Sequence, residues 1–384
     1  MREIIKKLNF RFSRPDCKVL VVKGRHSGVI QSSLIGLPTF AADLTVPIIF
    51  LSVSFLRNYL SYLKSNSRDV AYLLALIQHL QPAVVVSTDA LVTMNRRSML
   101  HELSERIKSS KFISVPHGSY QKGYEFHPTD SETGKELQFE SEVILASIGK
   151  GELKTYNRWG LKHKRIVPIG LLSNAIYLRD RLAAPVEKRF QICIVEHLGD
   201  PSKNHLPLQK KALETFETLC EFVDRYALRN QIGITIALRP TSKSLFDSDG
   251  EIDWVVNWFR DKFKSEITFT DSSKNFATHM ASDESELTVG VDSTALLESM
   301  GRGNKVLTIW YDESPLGIPE SSWTFLKNPS FESFVAAVDR ILAEDIQVYL
   351  EKTKFDREQL IECQEGSAAI RNLTRLIEEC IKTI

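Results

Sequence analysis

The chain has 384 residues, 43% of them hydrophobic and 25% charged, which is enough for two domains of ordinary size. Its formal net charge of +1 gives no support for nucleic-acid binding. Five scattered cysteines form no CxxC pair, which argues against a zinc ribbon or a disulfide scaffold and suits a reducing cytoplasm. Its apolar runs fall well short of the roughly 20 residues that a membrane span requires.

The first half of the chain alternates apolar runs with helical patterns. Continuous apolar runs are typical of buried parallel strands, and they predict strands over 17–23, 46–53, 82–88, 111–116, 142–147 and 165–170. Amphipathic spacing predicts helices over 56–64, 68–80, 95–109, 151–161 and 173–181. Residues 120–140 are polar and rich in turn formers, which favours a loop. This alternation indicates a doubly wound parallel sheet.

The second half repeats the alternation after a predicted linker at 182–189. Strands are predicted over 190–195, 233–238, 266–270, 287–291 and 305–309, and helices over 206–227, 252–263, 275–280, 295–300 and 331–343. Residues 319–329 are predicted to be a loop. The sequence therefore predicts an α/β fold with two Rossmann-like doubly wound domains facing a cleft, which favours a nucleotide-type ligand. The predicted domains are 1–184 and 185–345, and helices in 346–384 are predicted to pack back across them.

A polar elbow separates a strand-like run from a helical pattern at Asp292, Ser293 and Thr294. The N-terminus of the following helix offers backbone N–H groups and the positive end of the helix dipole, which suit a phosphate. Glu298 follows about one turn later, near where a ribose would lie. The alternative is that Asp292 or Ser293 only caps the helix, as happens at very many such turns.

Polar residues also follow the predicted strands of the first half. Asp89 and His117 stand at strand ends, and Gly118 lets a backbone approach closely there. A histidine in that position can act as a general base toward an acceptor hydroxyl or bind a phosphate when protonated. The alternative is a hydrogen-bonded structural histidine. Arg25 and His26 occupy the loop after the first strand and are candidate acceptor contacts.

Two strands of the second half end in further candidates. Glu196 precedes His197 and can orient that ring, bind a ribose or serve as a base. Its alternative is a helix cap or a surface charge. Arg239 is held by Pro240, and its guanidinium suits a diphosphate or a carboxylate. The alternative for Arg239 is a surface ion pair of little energetic value.

Several other mechanisms lack their motifs. The chain contains no GxGxxG, no GxxxxGK[ST] and no GxSxG, which argues against dinucleotide, P-loop and α/β-hydrolase sites. No His, Cys or carboxylate cluster has the spacing of metal ligands. A metal-independent enzyme would stabilise a leaving phosphate with helix N-termini and arginine.

The two-half layout, the Pro-His-Gly sequence at 116–118 and the Asp-Ser-Thr-x-x-x-Glu elbow resemble those of GT-B-type glycosyltransferases. The most similar are bacterial enzymes that build capsule and lipopolysaccharide O-antigen, with the CDP-glycerol glycerophosphotransferases as relatives. The resemblance implies that His117 and Gly118 face the acceptor, whereas Ser293, Thr294 and Glu298 hold the donor phosphate and ribose. Some sialyl and Kdo transferases carry His-Pro where this chain has Arg239-Pro240, which is a departure from enzymes that use CMP-sugars.

The resemblance implies transfer of a sugar from a CMP-sugar such as Kdo, or from a UDP-sugar, to a growing surface glycan, with no cofactor and no nucleic-acid partner. His117, Glu196 and Asp89 are the catalytic candidates. The resemblance also implies a cytoplasmic enzyme on the inner membrane, acting on a glycan or lipid-linked glycan. The basic amphipathic residues 1–12 and the C-terminal helices are candidate membrane surfaces, and the favoured alternative for residues 1–12 is a packed first helix. The alternatives are a CDP-polyol phosphotransferase, a two-Rossmann nucleotide-sugar epimerase and a non-catalytic binding protein.

Overall fold

The computed structural model describes residues 9–384 except for 12, 24–26, 35, 45–47, 89–91, 94–95, 98, 116–138, 152–160, 164, 182–185, 199–206, 239–249, 272–273, 292, 312–313, 315–316 and 362–367. The described residues form two compact units. One comprises those of Met1–Ser119, Phe126–Ile176 and Glu365–Ile384, and the other comprises those of Tyr177–Gln364. No helix in this described part combines the length and the apolar character that crossing a bilayer requires.

The first unit is built on a parallel sheet that contains six of the twelve strands described in this unit. Its strands are β1 (Asn9–Arg11), β2 (Val19–Lys23), β3 (Thr39–Asp43), β4 (Ile48–Phe50), β5 (Val84–Ser87), β6 (Val92–Thr93), β7 (Arg96–Arg97), β8 (Lys111–Ser114), β9 (Phe139–Ser141), β10 (Ile144–Ser147), β11 (Leu161–His163) and β12 (Ile166–Pro168). Six of them pair in the order β12-β10-β8-β5-β2-β3, and every pairing is parallel. The strand order reverses between β2 and β5, and a crevice forms at such a point in doubly wound sheets.

Helices accompany this sheet along the chain. They are α1 (Ser27–Ser33), α2 (Val53–Leu63), α3 (Arg68–Leu80), α4 (Met99–Arg106) and α5 (Leu172–Asp180), and the division between the units falls inside α5. Helix α3 begins at the N-cap Ser67, whose side chain accepts a hydrogen bond from the Val70 N–H. It ends at Gln81, which adopts the left-handed conformation that closes many helices.

The second unit has the strand order of a Rossmann domain. Its strands are β13 (Phe190–Val195), β14 (Ile234–Ala237), β15 (Ile267–Phe269), β16 (Ser285–Gly290), β17 (Lys305–Trp310) and β18 (Phe325–Lys327), in the parallel order β15-β14-β13-β16-β17-β18. Its helices are α6 (Pro207–Asn230), α7 (Gly250–Lys262), α8 (Ala277–Asp283), α9 (Thr294–Gly301), α10 (Phe331–Ala343), α11 (Ile346–Lys352) and α12 (Lys354–Leu360). The order reverses between β13 and β16, which is where Rossmann domains place their ligand crevice.

The last helix, α13 (Ala368–Lys382), belongs to the first unit. Its apolar side chains Leu373, Leu376 and Ile377 lie in the same core cluster as Val19 of β2 and Val84 of β5. Spacing of three and four residues puts those side chains on one face of the helix, and that face is buried. Since this face is already used in the core, it is not free to contact a membrane.

The predicted α/β class with two Rossmann-like halves is confirmed. The short strands β1, β6, β7, β9 and β11, which lie outside the six-stranded sheets, were not predicted, and two further differences lie at the edges of those sheets. The strand predicted over 46–53 is the shorter β4, which pairs with β1 in a separate two-stranded sheet. The edge of the six-stranded sheet is formed instead by β3, which was not predicted. The predicted loop over 319–329 contains β18, which forms an edge of the second sheet. Both edge strands are short and only partly buried, so they lack the continuous apolar run of a central strand.

Candidate functional site

The reversal of strand order in the second unit lies where β13 and β16 run side by side. Their ladder pairs Cys193 with Thr288 and Ile194 with Val289. Neighbouring strands are about 4.8 Å apart, so the segments that leave the carboxyl ends of β13 and β16 begin next to each other. These two segments contain the predicted residues that the structure brings to one edge of the sheet, namely Glu196, His197, Ser293 and Thr294.

Helix α9 begins at the end of β16, so its positive dipole end lies at the carboxyl edge of the sheet. Ser293 is the N-cap, with extended backbone angles of φ −134° and ψ 130°, and its Oγ accepts a hydrogen bond from the Ala295 N–H at 3.3 Å. The Leu296 N–H donates to the Ser293 carbonyl at 2.9 Å. Ser293 thus has the capping role that the sequence suggested as one alternative. Binding of an anion by Ser293 and Thr294 stays a prediction.

A glycine lets α9 approach the end of β16 closely. A Cβ placed on Gly290 would lie 3.0 Å from both terminal methyl carbons of Leu296. Leu296 is fully buried, so its side chain has little room to move. Gly290 therefore fixes the distance between the strand end and the first turn of the helix.

Buried hydroxyl groups hold the helices around β16 in place. Ser282 of α8 hydrogen bonds to Thr288 of β16 at 2.9 Å and also to Ser299 of α9. The Ser299 hydroxyl donates to Thr288 Oγ1 at 3.2 Å, and all three side chains are buried. Satisfied buried networks of this kind specify one arrangement of their elements. The arrangement of α8 and α9 around β16 is therefore well defined.

Glu196 directly follows β13 and is 4% exposed. Its carboxylate accepts a hydrogen bond from the Leu198 N–H, and its own N–H donates to the Ala237 carbonyl at 3.1 Å. The His197 ring is half-buried, with its centroid 6.3 Å from that of Phe216. The carboxylate thus orders the turn that leaves β13. Its predicted roles as a base or as a ribose ligand stay predictions.

Glu298 lies one turn into α9 and faces a buried histidine. Its carboxylate Oε2 is 3.7 Å from Nε2 of His279 on α8, and the two side chains are 17% and 9% exposed. That separation is too long for a hydrogen bond, and His279 Nε2 has no hydrogen-bond partner. The His279 ring packs against Tyr177 and Phe276, with centroids at 5.1 Å and 5.2 Å.

The imidazole of His279 is neutral at physiological pH. Burial lowers its pKa well below the ordinary value of 6.5, and the nearby Arg302 guanidinium lowers the pKa further. The contact with Glu298 is therefore not an ion pair. The His279 ring is held instead by its packing against Tyr177 and Phe276.

The neutral state of the buried His279 ring is expected to show in the pH dependence of the protein's stability. Below pH 6.5 the unfolded chain takes up a proton that the folded chain does not, so the free energy of unfolding falls as the pH drops. One such histidine contributes a slope of up to about 1.4 kcal/mol per pH unit. Urea unfolding between about pH 7 and about pH 5 measures that slope, and His279→Gln is expected to reduce it. An equal slope in both proteins would contradict a neutral buried His279.

A buried carboxylate network supports the same helices. Asp283, at the end of α8, accepts hydrogen bonds from Tyr177 Oη at 3.0 Å, from Arg181 Nη1 at 2.7 Å, from Arg302 Nε at 2.8 Å and from Asn304 Nδ2 at 2.7 Å. Burial alone would raise the pKa of Asp283, but Arg302 and the hydrogen bonds lower the pKa below its ordinary value of 3.8. The carboxylate is therefore charged and ties the start of the second unit to α8 and to the end of α9.

The other predicted site residues lie outside the described residues: Arg25, His26, Asp89, His117, Gly118, Arg239, Pro240 and Asp292. Their roles stay predictions. The strands that precede them are described, and β2 and β5 flank the reversal of strand order in the first unit. Within the described part of the chain, no group of three or more His, Cys, Asp or Glu side chains is placed to hold a metal ion.

Sequence reasoning missed His279 and the Asp283 network. His279 is a lone histidine on a short amphipathic helix, and such a histidine is usually part of the core. The partners of Asp283 are spread from Tyr177 to Asn304, so no local spacing reveals them. The only local signal for Asp283 was that a charged residue ends an apolar helical pattern.

Comparison with known proteins supports the fold. No family model matches the chain, and no curated protein matches its sequence. Sucrose-phosphate synthase from Thermosynechococcus elongatus superposes with a TM-score of 0.54 at 11% identity, covering 97% of this chain and 100% of that one. A glycosyltransferase from Rickettsia africae gives 0.53 at 12% identity, with 96% and 100% covered. A trehalose-6-phosphate protein from E. coli bound with UDP-2-fluoro glucose gives 0.53 at 13% identity, with 97% and 98% covered.

These similarities show that the chain has the GT-B fold of two Rossmann-like domains. Identities of 11% to 13% are too low to transfer a substrate or a residue role.

Proposed function

We propose that the protein is a GT-B-type glycosyltransferase that moves a sugar from a nucleotide-activated donor to a growing bacterial surface glycan. The observation that carries the proposal is the reversal of strand order between β13 and β16. It puts Glu196 and the capped start of α9 at the edge where Rossmann domains bind nucleotides. The GT-B fold, whose solved examples include a protein bound with UDP-2-fluoro glucose, supports the same assignment.

In the proposed reaction the donor phosphates lie against the start of α9. Ser293, Thr294 and the backbone there would stabilise negative charge, as helix N-termini do, and Arg239 would add a guanidinium. Glu298 would accept hydrogen bonds from the ribose hydroxyl groups. These contacts become stronger as the leaving phosphate gains charge, so they lower the barrier to breaking its bond to the sugar.

The acceptor would react on the other side of the sugar. Its hydroxyl oxygen attacks the anomeric carbon, the bond from that carbon to the phosphate oxygen breaks, and a base removes the hydroxyl proton. His117, Glu196 and Asp89 are the candidate bases, while Arg25, His26 and Gly118 are candidate acceptor contacts. The proposed donor is a CMP-sugar such as Kdo or a UDP-sugar, and no metal or cofactor is required. A lipid-linked acceptor would place the enzyme at the inner face of the membrane.

Binding of the donor is tested by comparing two equivalent caps. Ser293 caps α9 and Ser330 caps α10, and each side chain accepts a hydrogen bond from a backbone N–H of its helix. Either Ser→Ala change should cost about 1 kcal/mol of stability. Only Ser293→Ala should also weaken nucleotide binding, by about tenfold, because α9 follows β16 at the reversal of strand order, whereas α10 follows β18 at the edge of the sheet.

The measurement is a thermal-shift and calorimetry screen with CMP, CDP, UDP and GDP. A nucleotide that binds the folded protein raises the unfolding midpoint by mass action. The absence of binding by all four, or equal losses in the Ser293→Ala and Ser330→Ala proteins, would contradict the proposed site. A labelled sugar derivative of the nucleotide that binds, with and without glycan acceptor, then identifies the reaction. An extended acceptor supports the transferase, an isomerised donor supports an epimerase, and binding alone supports a non-catalytic protein.

A further inference from the structure

Helix α2 of the first unit carries a row of exposed apolar side chains. Val53 is 85% exposed, Leu60 is 61% exposed, and Leu56 and Leu63 are each 37% exposed. Their spacing of three, four and three residues puts them on one side of the helix, and we call them the apolar stripe. Single exposed apolar residues are ordinary, but an aligned row on one short helix indicates a surface that contacts something apolar.

The helix that carries the stripe is held firmly by its other side. Phe55 is fully buried, and its ring centroid lies 5.8 Å from that of Phe50 and 6.4 Å from that of Tyr72. Asn58 Nδ2 donates to Gln78 Oε1 of α3 at 2.9 Å. Since packing and hydrogen bonds fix α2 on the unit, the stripe is presented in one orientation.

Basic side chains border the stripe. Arg57 and Lys64 are exposed, and at 100° per residue they lie beside Val53 and Leu60 at the border of the stripe. Arg68 follows at the start of α3 beside the exposed Asp69, and the sequence from 44 to 68 contains no Asp or Glu. An apolar row bordered by long basic side chains is the pattern of helices that lie in the interface of anionic membranes.

We propose that the apolar stripe docks the protein on an anionic lipid bilayer. The leucine and valine side chains would enter the boundary between headgroups and acyl chains, while Arg57 and Lys64 would extend to the lipid phosphates. A second copy of the chain fits this surface less well. A two-fold contact between stripes would bring the basic side chains of both copies together with no carboxylate from 44–68 to offset them.

Vesicle flotation tests the proposal with the full-length protein. The probes are vesicles of phosphatidylcholine alone and vesicles in which a quarter of the lipid is phosphatidylglycerol. Leu56→Ser combined with Leu60→Ser is expected to weaken binding to the anionic vesicles at least about tenfold, since both side chains leave the acyl boundary. Arg57→Gln combined with Lys64→Gln is expected to weaken it comparably and to reduce its sensitivity to salt.

The control is Phe355→Ser, because Phe355 is 70% exposed on α12 in the other unit and lies outside the stripe. It should leave vesicle binding unchanged. Unchanged binding by the Leu56/Leu60 protein, or equal binding to neutral and anionic vesicles, would overturn the proposal. Sedimentation would also overturn it if the wild-type protein does not bind vesicles and instead forms a dimer that the leucine substitutions dissociate. Docking of the stripe on a bilayer does not depend on nucleotide binding, so the thermal shift with nucleotide checks the donor site separately in each variant.

Discussion

Replacing Asp283 with asparagine is expected to lower the free energy of unfolding of the second unit by about 3–5 kcal/mol. The side chain of Arg302 is 2% exposed and pairs with this carboxylate at 2.8 Å. Without the carboxylate, the buried guanidinium keeps its charge and loses its counter-charge. Tyr177 and Arg181 lose a charged acceptor in the same change. Loss of one partner from a buried ion pair is among the most destabilising single substitutions.

Hydrogen exchange of the β16 amides measures this loss in the unit that contains Asp283. The matched control is Asp180→Asn, because Asp180 is 52% exposed and pairs with the adjacent Arg179 at 2.7 Å. Exposed pairs contribute about 0–1 kcal/mol, so exchange protection should change little in the control. Similar protection in the Asp283 and Asp180 variants would show that the buried network does not stabilise the unit.

The effect of Asp283 also has a defined pH dependence. Its pKa is lower in the folded protein than the ordinary value of 3.8, so the folded state binds the proton less readily than the unfolded chain. The stabilisation is therefore fully present above that value and is lost as the pH falls through the folded pKa. The difference between the wild-type protein and Asp283→Asn should be constant near neutral pH and should shrink only in acid.

The central strands were predictable because burial on both faces requires continuous apolar runs. The strands β13 and β14 fall within the predicted runs, and β16 and β17 overlap theirs to within two residues at each end. The edge strand β3 has the partly buried sequence Thr-Phe-Ala-Ala-Asp, which has no such signal. Strand order was not predictable either, because pairing depends on contacts between segments far apart in the chain.

The candidate site was predictable to a similar extent. Ser293 and Glu196 stand at strand ends, and because ends of parallel strands share one edge, their common location followed from the alternation of strands and helices. The contact between His279 and Glu298 was not predictable. It depends on the way α8 and α9 pack around β16, which involves Gly290 and the buried hydroxyl groups rather than any motif.

Replacing Glu298 with glutamine is expected to weaken ribonucleotide binding by about tenfold to a hundredfold, which corresponds to the loss of hydrogen bonds to a charged acceptor. The carboxylate is 17% exposed, and its neutral neighbour His279 does not compete for it as an ion pair would. A carboxylate has enough lone pairs to accept hydrogen bonds from both hydroxyl groups of a ribose. Glutamine has nearly the same shape but is neutral, and its amide group donates where the carboxylate accepts.

A comparison of each ribonucleotide with its 2′-deoxy form makes the Glu298 test specific. Calorimetry should show that the wild-type protein prefers the ribonucleotide and that Glu298→Gln removes most of that preference, whereas affinity for the deoxy form changes little. The control is Glu286→Gln, since Glu286 is exposed on β16 and lies before the elbow. His279→Gln provides a second measurement, because a ring that only fills the core would alter stability but not the preference for ribose. If Glu298→Gln keeps the preference for the ribonucleotide, the ribose lies away from α9. The proposed phosphate site at Ser293 would then need support that does not include a ribose contact at Glu298.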